Sequence, residues 1–102
     1  MPQFDVYKDR IGKRYPLLLD VQADLLGQLN TRVVVPLGPK SRYPAKPIRR
    51  LNPILVVRGI EYVAVFQELA AIATSELGSL VCGCVDRRSD ILAALDLVFT
   101  GS

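Results

Sequence analysis

The chain has 102 residues, half of them hydrophobic and 23% charged, which excludes global disorder and fits one domain spanning 1–102. A net charge of +3 is mild: it suits an acidic protein partner or nucleic-acid phosphate and does not choose between them. There is no histidine, which excludes Ser-His-Asp and Cys-His catalysis.

In chain order, residues 3–8 alternate, with Phe4 and Val6 on one side and Asp5 and Tyr7 on the other, so a strand is expected. Residues 9–13 read as a hairpin turn, with Gly12 supplying positive φ. Residues 15–21 form a second strand, whose Leu17-Leu18-Leu19 run implies burial on both faces or an interface on one of them. Residues 32–37, dense in β-branched valine, form a third. Residues 38–47 carry Pro39, Pro44 and Pro47 among Lys40, Arg42 and Lys46. Proline cannot donate to a ladder, so a loop or edge hairpin is expected to project here as a small wing. Residues 52–57 and 60–65 pair across Arg58-Gly59. At 67–73, Leu69, Ala70, Ala71 and Ile72 favour helix by propensity. Residues 78–84 form a further short strand.

The last segment is the clearest helix. Ile91, Leu92, Leu95, Val98 and Phe99 fall on one face of a 3.6-residue period. Asp86 or Ser89 is expected to cap its start, Asp90 favours the first turn, and Gly101 lies just past the end. The fold class is mainly β with one C-terminal α-helix. The positive mean hydropathy suggests that apolar surface remains for a partner, and dimerisation is the common solution.

Chemistry-bearing groups are sparse. The carboxylates are scattered and form no motif. Arg32 beside Thr31 is a candidate for ribonuclease chemistry, although an arginine at a strand edge more often serves as a solvated or ion-pairing residue. Cys82 and Cys84 flank Gly83. A disulfide across one residue is strained and zinc needs two more ligands, so both are read as small buried hydrophobes, with no metal and no cofactor. Lys40, Arg42, Lys46, Arg49 and Arg50 surround Tyr43. They suit phosphate and base stacking, or more often simply a solvated loop. No run approaches the roughly 18–20 apolar residues of a membrane span. Met1-Pro2-Gln3-Phe4-Asp5 does not read as a signal peptide, so a cytoplasmic location without membrane contact is expected.

The order and spacing of certain segments carry more. They are Gln3-Phe4-Asp5-Val6-Tyr7, Arg14-Tyr15, the stretch from Leu19-Asp20-Val21-Gln22 to Leu25-Leu26, Arg32-Val33-Val34-Val35-Pro36-Leu37, Asp90-Ile91 and Phe99-Thr100-Gly101-Ser102. Together they resemble the CcdB toxins, the gyrase-poisoning half of toxin–antitoxin pairs. The resemblance implies an SH3-like barrel shared with the MazF-like ribonucleases, a strand rather than a helix at 67–73, and a two-fold dimer. It implies a non-enzymatic toxin that binds the DNA gyrase A subunit. A cognate antitoxin would neutralise it and carry the contact with operator DNA. Gyrase-binding positions carried over from the family are Phe4, Leu25, Leu26, Asp96, Phe99, Thr100, Gly101 and Ser102. The family tail reads Phe-Trp-Gly-Ile. Here Phe99 and Gly101 match, while Thr100 and Ser102 do not, so weaker gyrase binding is expected. The alternatives are a detoxified CcdB-like module that still binds an antitoxin, and a MazF-like endoribonuclease.

Overall fold

Side-chain alternation builds the sheet. The computed structural model describes residues 2–12, 15–26 and 28–101. Its strands are β1 (Asp5–Asp9), β2 (Leu17–Asp20), β3 (Thr31–Pro39), β4 (Ile54–Val57), β5 (Ile60–Ala64), β6 (Ala70–Ala73) and β7 (Leu77–Gly83), followed by helix α1 (Arg88–Thr100). They form one antiparallel seven-stranded sheet in the order β4-β5-β3-β2-β1-β7, with β6 also on β3.

β3 is the spine. One side pairs along β2. The other pairs first with β6, over Thr31 to Val34, and then with β5, over Leu37 to Pro39. Pro36 falls at this change of partner. Its carbonyl accepts Val65 N–H at 3.0 Å on that same side, so the donor that proline lacks is missing only where neither ladder needs it. The β4–β5 turn has positive φ at both Arg58 (51°) and Gly59 (80°), the twist a two-residue hairpin requires. The sheet curls until its two ends approach. Arg58 Nη2 donates to Val81 O on β7 at 3.3 Å, and Arg87 Nη1 donates to Ile54 O on β4 at 2.8 Å. Arginine side chains thus bridge the seam of a half-barrel.

The Leu17-Leu18-Leu19 run is buried on both faces within the single chain. Leu17 and Leu19 join Phe4, Val6, Val35, Leu37, Phe66, Ile91 and Ala94 in the main core. Leu18 joins Tyr7, Val34 and Leu77 in a smaller one on the opposite face. Each such fully buried leucine contributes about 1.5–3 kcal/mol relative to exposure.

Several expectations change in three dimensions. The wing contains no strand: β3 runs on to Pro39, a 3₁₀ turn covers Lys40–Arg42, and residues 43–53 are irregular. At 67–73 the strand that the resemblance implies is present as β6, after a 3₁₀ turn at Phe66–Glu68; only the helical propensity of the alanines is overridden, by pairing with β3. Neither Asp86 nor Ser89 caps α1. A 3₁₀ turn (Val85–Arg87) feeds directly into the helix, Arg87 takes the cap position without a side-chain cap bond, and Ser89 lies inside the helix. Arg87 instead pairs with Asp90 at 2.9 Å. Gly101 closes the helix at φ 77°. Gly12 has φ 57°, as its turn requires, while Lys13 of that turn and Arg14 of the Arg14-Tyr15 segment lie outside the described residues. Among the described residues no helix is long and apolar enough to cross a membrane.

Candidate functional site

The Asp20-Val21-Gln22 stretch leaves β2 and becomes a buried brace. Asp20 and Arg32 are both fully buried, and Arg32 reaches across from β3 with Nη2 at 2.6 Å and Nε at 2.9 Å from Asp20 Oδ2. Asp20 Oδ1 accepts the Gln22 N–H at 3.0 Å. Gln22 then ties both neighbours: its Oε1 accepts Val33 N–H at 3.1 Å, and its Nε2 donates to Leu26 O at 3.0 Å. Burial pushes the Asp20 carboxyl above its ordinary value, while the bonds from Arg32 and the Gln22 amide pull it back. Arg32 is therefore neither solvated nor at a sheet edge. Its place on a central strand leaves it ion-paired and without solvent exposure, while its neighbour Thr31 is exposed.

This brace carries a 3₁₀ turn, Asp24–Leu26, that presents hydrophobic side chains outward. Leu25 is 93% exposed, Leu26 46% and Leu29 51%. With Asp24 and Gln28 they rim a shallow surface recess of about 420 Å³. Two bonds from Gln3 hold the turn to the N-terminal segment: its N–H donates to the Asp24 carboxylate, and its Nε2 donates to Val21 O at 3.1 Å. These leucines therefore lie outside the core, on a braced and exposed turn.

Phe4 corrects the expected site. It is 1% exposed and belongs to the main core. Its backbone is left-handed, φ 71°, and pinned on both sides: Phe4 N–H donates to Asp20 O at 2.6 Å and Phe4 O accepts Cys84 N–H at 2.8 Å. Such a backbone costs on the order of 1–3 kcal/mol and persists because these bonds over-determine it. The ring lies under the start of α1, with the Arg88 guanidinium carbon 5.7 Å from its centroid. Phe4 thus supports the surface from below and does not belong to it.

The helix end behaves in the opposite way. Ile91 and Ala94 are buried, and Leu92, Leu95 and Val98 pack partly on the core. Phe99, expected in the same stripe, is 70% exposed because the helix runs past the core before its last turn. Asp96, Thr100 and Gly101 are exposed too, and the Thr100 hydroxyl donates back to Asp96 O at 2.7 Å. Ser102 lies outside the described residues.

Cys82 is half-buried and Cys84 buried, both as free thiols. Burial, reinforced by Cys82, pushes the Cys84 thiol from an ordinary 9.0 up to about 12, so its thiolate at neutral pH is roughly a thousandth of a free thiol's. Native protein should therefore leave Cys84 unmodified by iodoacetamide up to pH 9, with two thiols reacting after denaturation. Rapid native labelling at Cys84, read by peptide mass, would contradict this placement.

A solved structure of similar fold is an endoribonuclease in complex with its cognate antitoxin from a mycobacterial species. It has a TM-score of 0.76 and 16% identity, over 96% of this chain and 93% of that one. At that identity the likeness speaks for the fold: a curled antiparallel sheet with one C-terminal helix. The model of the CcdB protein family matches residues 3–101, from the segment that tethers the leucine turn to the glycine that closes the helix. The chain belongs to the CcdB family of toxins.

Proposed function

We infer that this chain is the toxin of a toxin–antitoxin pair and acts, as a homodimer, by binding the A subunit of DNA gyrase rather than by catalysis. The observation that carries this reading is the pairing of family membership with an exposed, buttressed aliphatic turn. Leu25 and Leu26 occupy the positions where the resemblance puts the gyrase grip, and the Asp20–Arg32–Gln22 network holds them in place. A preorganised apolar turn binds without first losing loop entropy. The exposed Phe99 at the helix end, with Asp96 beside it, supplies a second exposed patch that joins an aromatic to a carboxylate. A cognate antitoxin neutralises the toxin. The mycobacterial endoribonuclease, a protein of similar fold in complex with its own antitoxin, supports this. So does the positive net charge, which favours an acidic folding-on-binding tail.

The test is inhibition of gyrase supercoiling by the purified chain, with trapped cleaved DNA as the readout and sedimentation for the dimer. Leu25→Glu should weaken inhibition by about thirty-fold or more, the size of a hot-spot residue, with thermal stability unchanged because the side chain is almost wholly exposed. Full inhibition by Leu25→Glu would place the contact elsewhere. No inhibition by the wild type, together with antitoxin binding, would leave a detoxified module.

A further inference from the structure

We propose that the groove between the β1–β2 turn and the base of the wing binds single-stranded nucleic acid. The structure brings together two tyrosines far apart in sequence. Tyr15 and Tyr43, with Gly38, Pro39, Arg42 and Pro44, line an open groove of about 430 Å³. That volume lies within the range of ligand sites.

The groove is built. A Cβ on Gly38 would sit 2.9 Å from Tyr15 Cδ1 and 3.0 Å from Cε1, so glycine is what allows the ring to lie on the backbone of β3. The Tyr15 hydroxyl donates to Glu68 Oε2 at 3.0 Å, which anchors the far end of the ring. Tyr43 follows directly on the 3₁₀ turn, and its N–H donates to Lys40 O at 3.3 Å.

Charge selects the occupant. Lys40 is partly neutralised by Glu61 at 3.7 Å, but Arg42, Lys46 and Arg49 are exposed and make no ion pair among the described residues. Among the described residues no carboxylate lines the groove. Arg42 is the cation that lines the groove, and aromatic rings beside a cation are the combination that binds single strands: the rings stack on bases of any identity while the guanidinium holds the backbone. Duplex bases are already stacked and offer the tyrosines nothing. This site is separate from the leucine turn and stands or falls independently of the gyrase reading.

The test is fluorescence anisotropy of labelled hexanucleotides, RNA and DNA of one mixed sequence, titrated with the full chain at low salt. Micromolar binding is expected, with an RNA duplex of the same sequence much weaker. RNA tighter than DNA, or the reverse, identifies which strand the groove prefers, and either supports the site. Tyr43→Ala should weaken binding by about ten-fold or more, Tyr43→Phe should retain it, and Arg42→Ala should reduce the salt slope by about 0.7. Both positions lie on the wing, outside the core, so folding is not at issue. Absence of binding to both strands, or affinity unchanged in Tyr43→Ala, would overturn the proposal. So would an acidic peptide of matched charge that binds more tightly and depends on Tyr43, since it would make this a peptide groove.

Discussion

Asp20→Ala should destabilise the fold by about 3–5 kcal/mol, the usual cost of leaving one partner of a buried ion pair behind. Arg32 would then keep a charge at zero exposure without its carboxylate. The loss does not measure what the pair contributes, because desolvating both ions already consumes most of their attraction. Replacing both together, as in Asp20→Leu with Arg32→Met, should therefore cost much less than Asp20→Ala alone. For a domain of this size each kcal/mol moves the midpoint by roughly 4–8 °C, so thermal unfolding separates the two outcomes easily. A double variant as damaged as the single one would mean that hydrogen-bond geometry, not unpaired charge, holds this region. Asp20→Ala should also loosen the leucine turn, since Asp20 fixes the Gln22 backbone and Gln22 holds Leu26 O. Protease nicking near residues 24–29 under native conditions would report it.

If the chain acts on gyrase as proposed, Thr100→Trp should strengthen both gyrase binding and supercoiling inhibition by roughly ten- to a hundredfold, on the order of 1–3 kcal/mol for one stacked aromatic. The geometry accommodates it. Thr100 is exposed at the end of α1, Phe99 beside it is 70% exposed, and Gly101 ends the helix with its N–H on Leu97 O at 3.1 Å. Thr100 now spends its hydroxyl on Asp96 O within its own helix, a bond that a tryptophan forgoes at little cost on an exposed turn. Ser102→Ile should add a smaller increment by apolar burial. If wild type binds tightly and Thr100→Trp changes nothing, the helix end is not part of the contact, and Leu25 and Leu26 carry it. Calorimetry with the gyrase A subunit measures both forms directly.

Much of this protein was legible along the chain. Alternation in β1, valine density in β3, the Arg58-Gly59 turn and the Gly101 helix stop are local properties: side-chain period and allowed φ are set by neighbours in sequence. The segment spacing that resembles the CcdB toxins was legible for the same reason, and the family match bears it out. What a residue faces, by contrast, depends on which strands meet. Phe4 alternates like a surface-capable residue, yet a left-handed backbone, pinned by Asp20 and Cys84 from two other segments, turns its ring into the core. Phe99 shares the helical stripe in sequence but is exposed, because only tertiary packing decides where the core stops beneath the helix. Arg32 looked like a strand-edge cation until β2 and β6 closed on both sides of β3 and Asp20 met it. Tyr15 and Tyr43 share a groove only because Gly38 lets one ring lie on the strand that leads to the other. The sequence by itself determined the family and the elements with a clear local period or turn, β1, β3, the β4–β5 hairpin and α1. Tertiary structure decided partnership and the exposure of Phe4, Arg32 and Phe99, because which segments meet, and where the core stops, are properties of the assembled sheet.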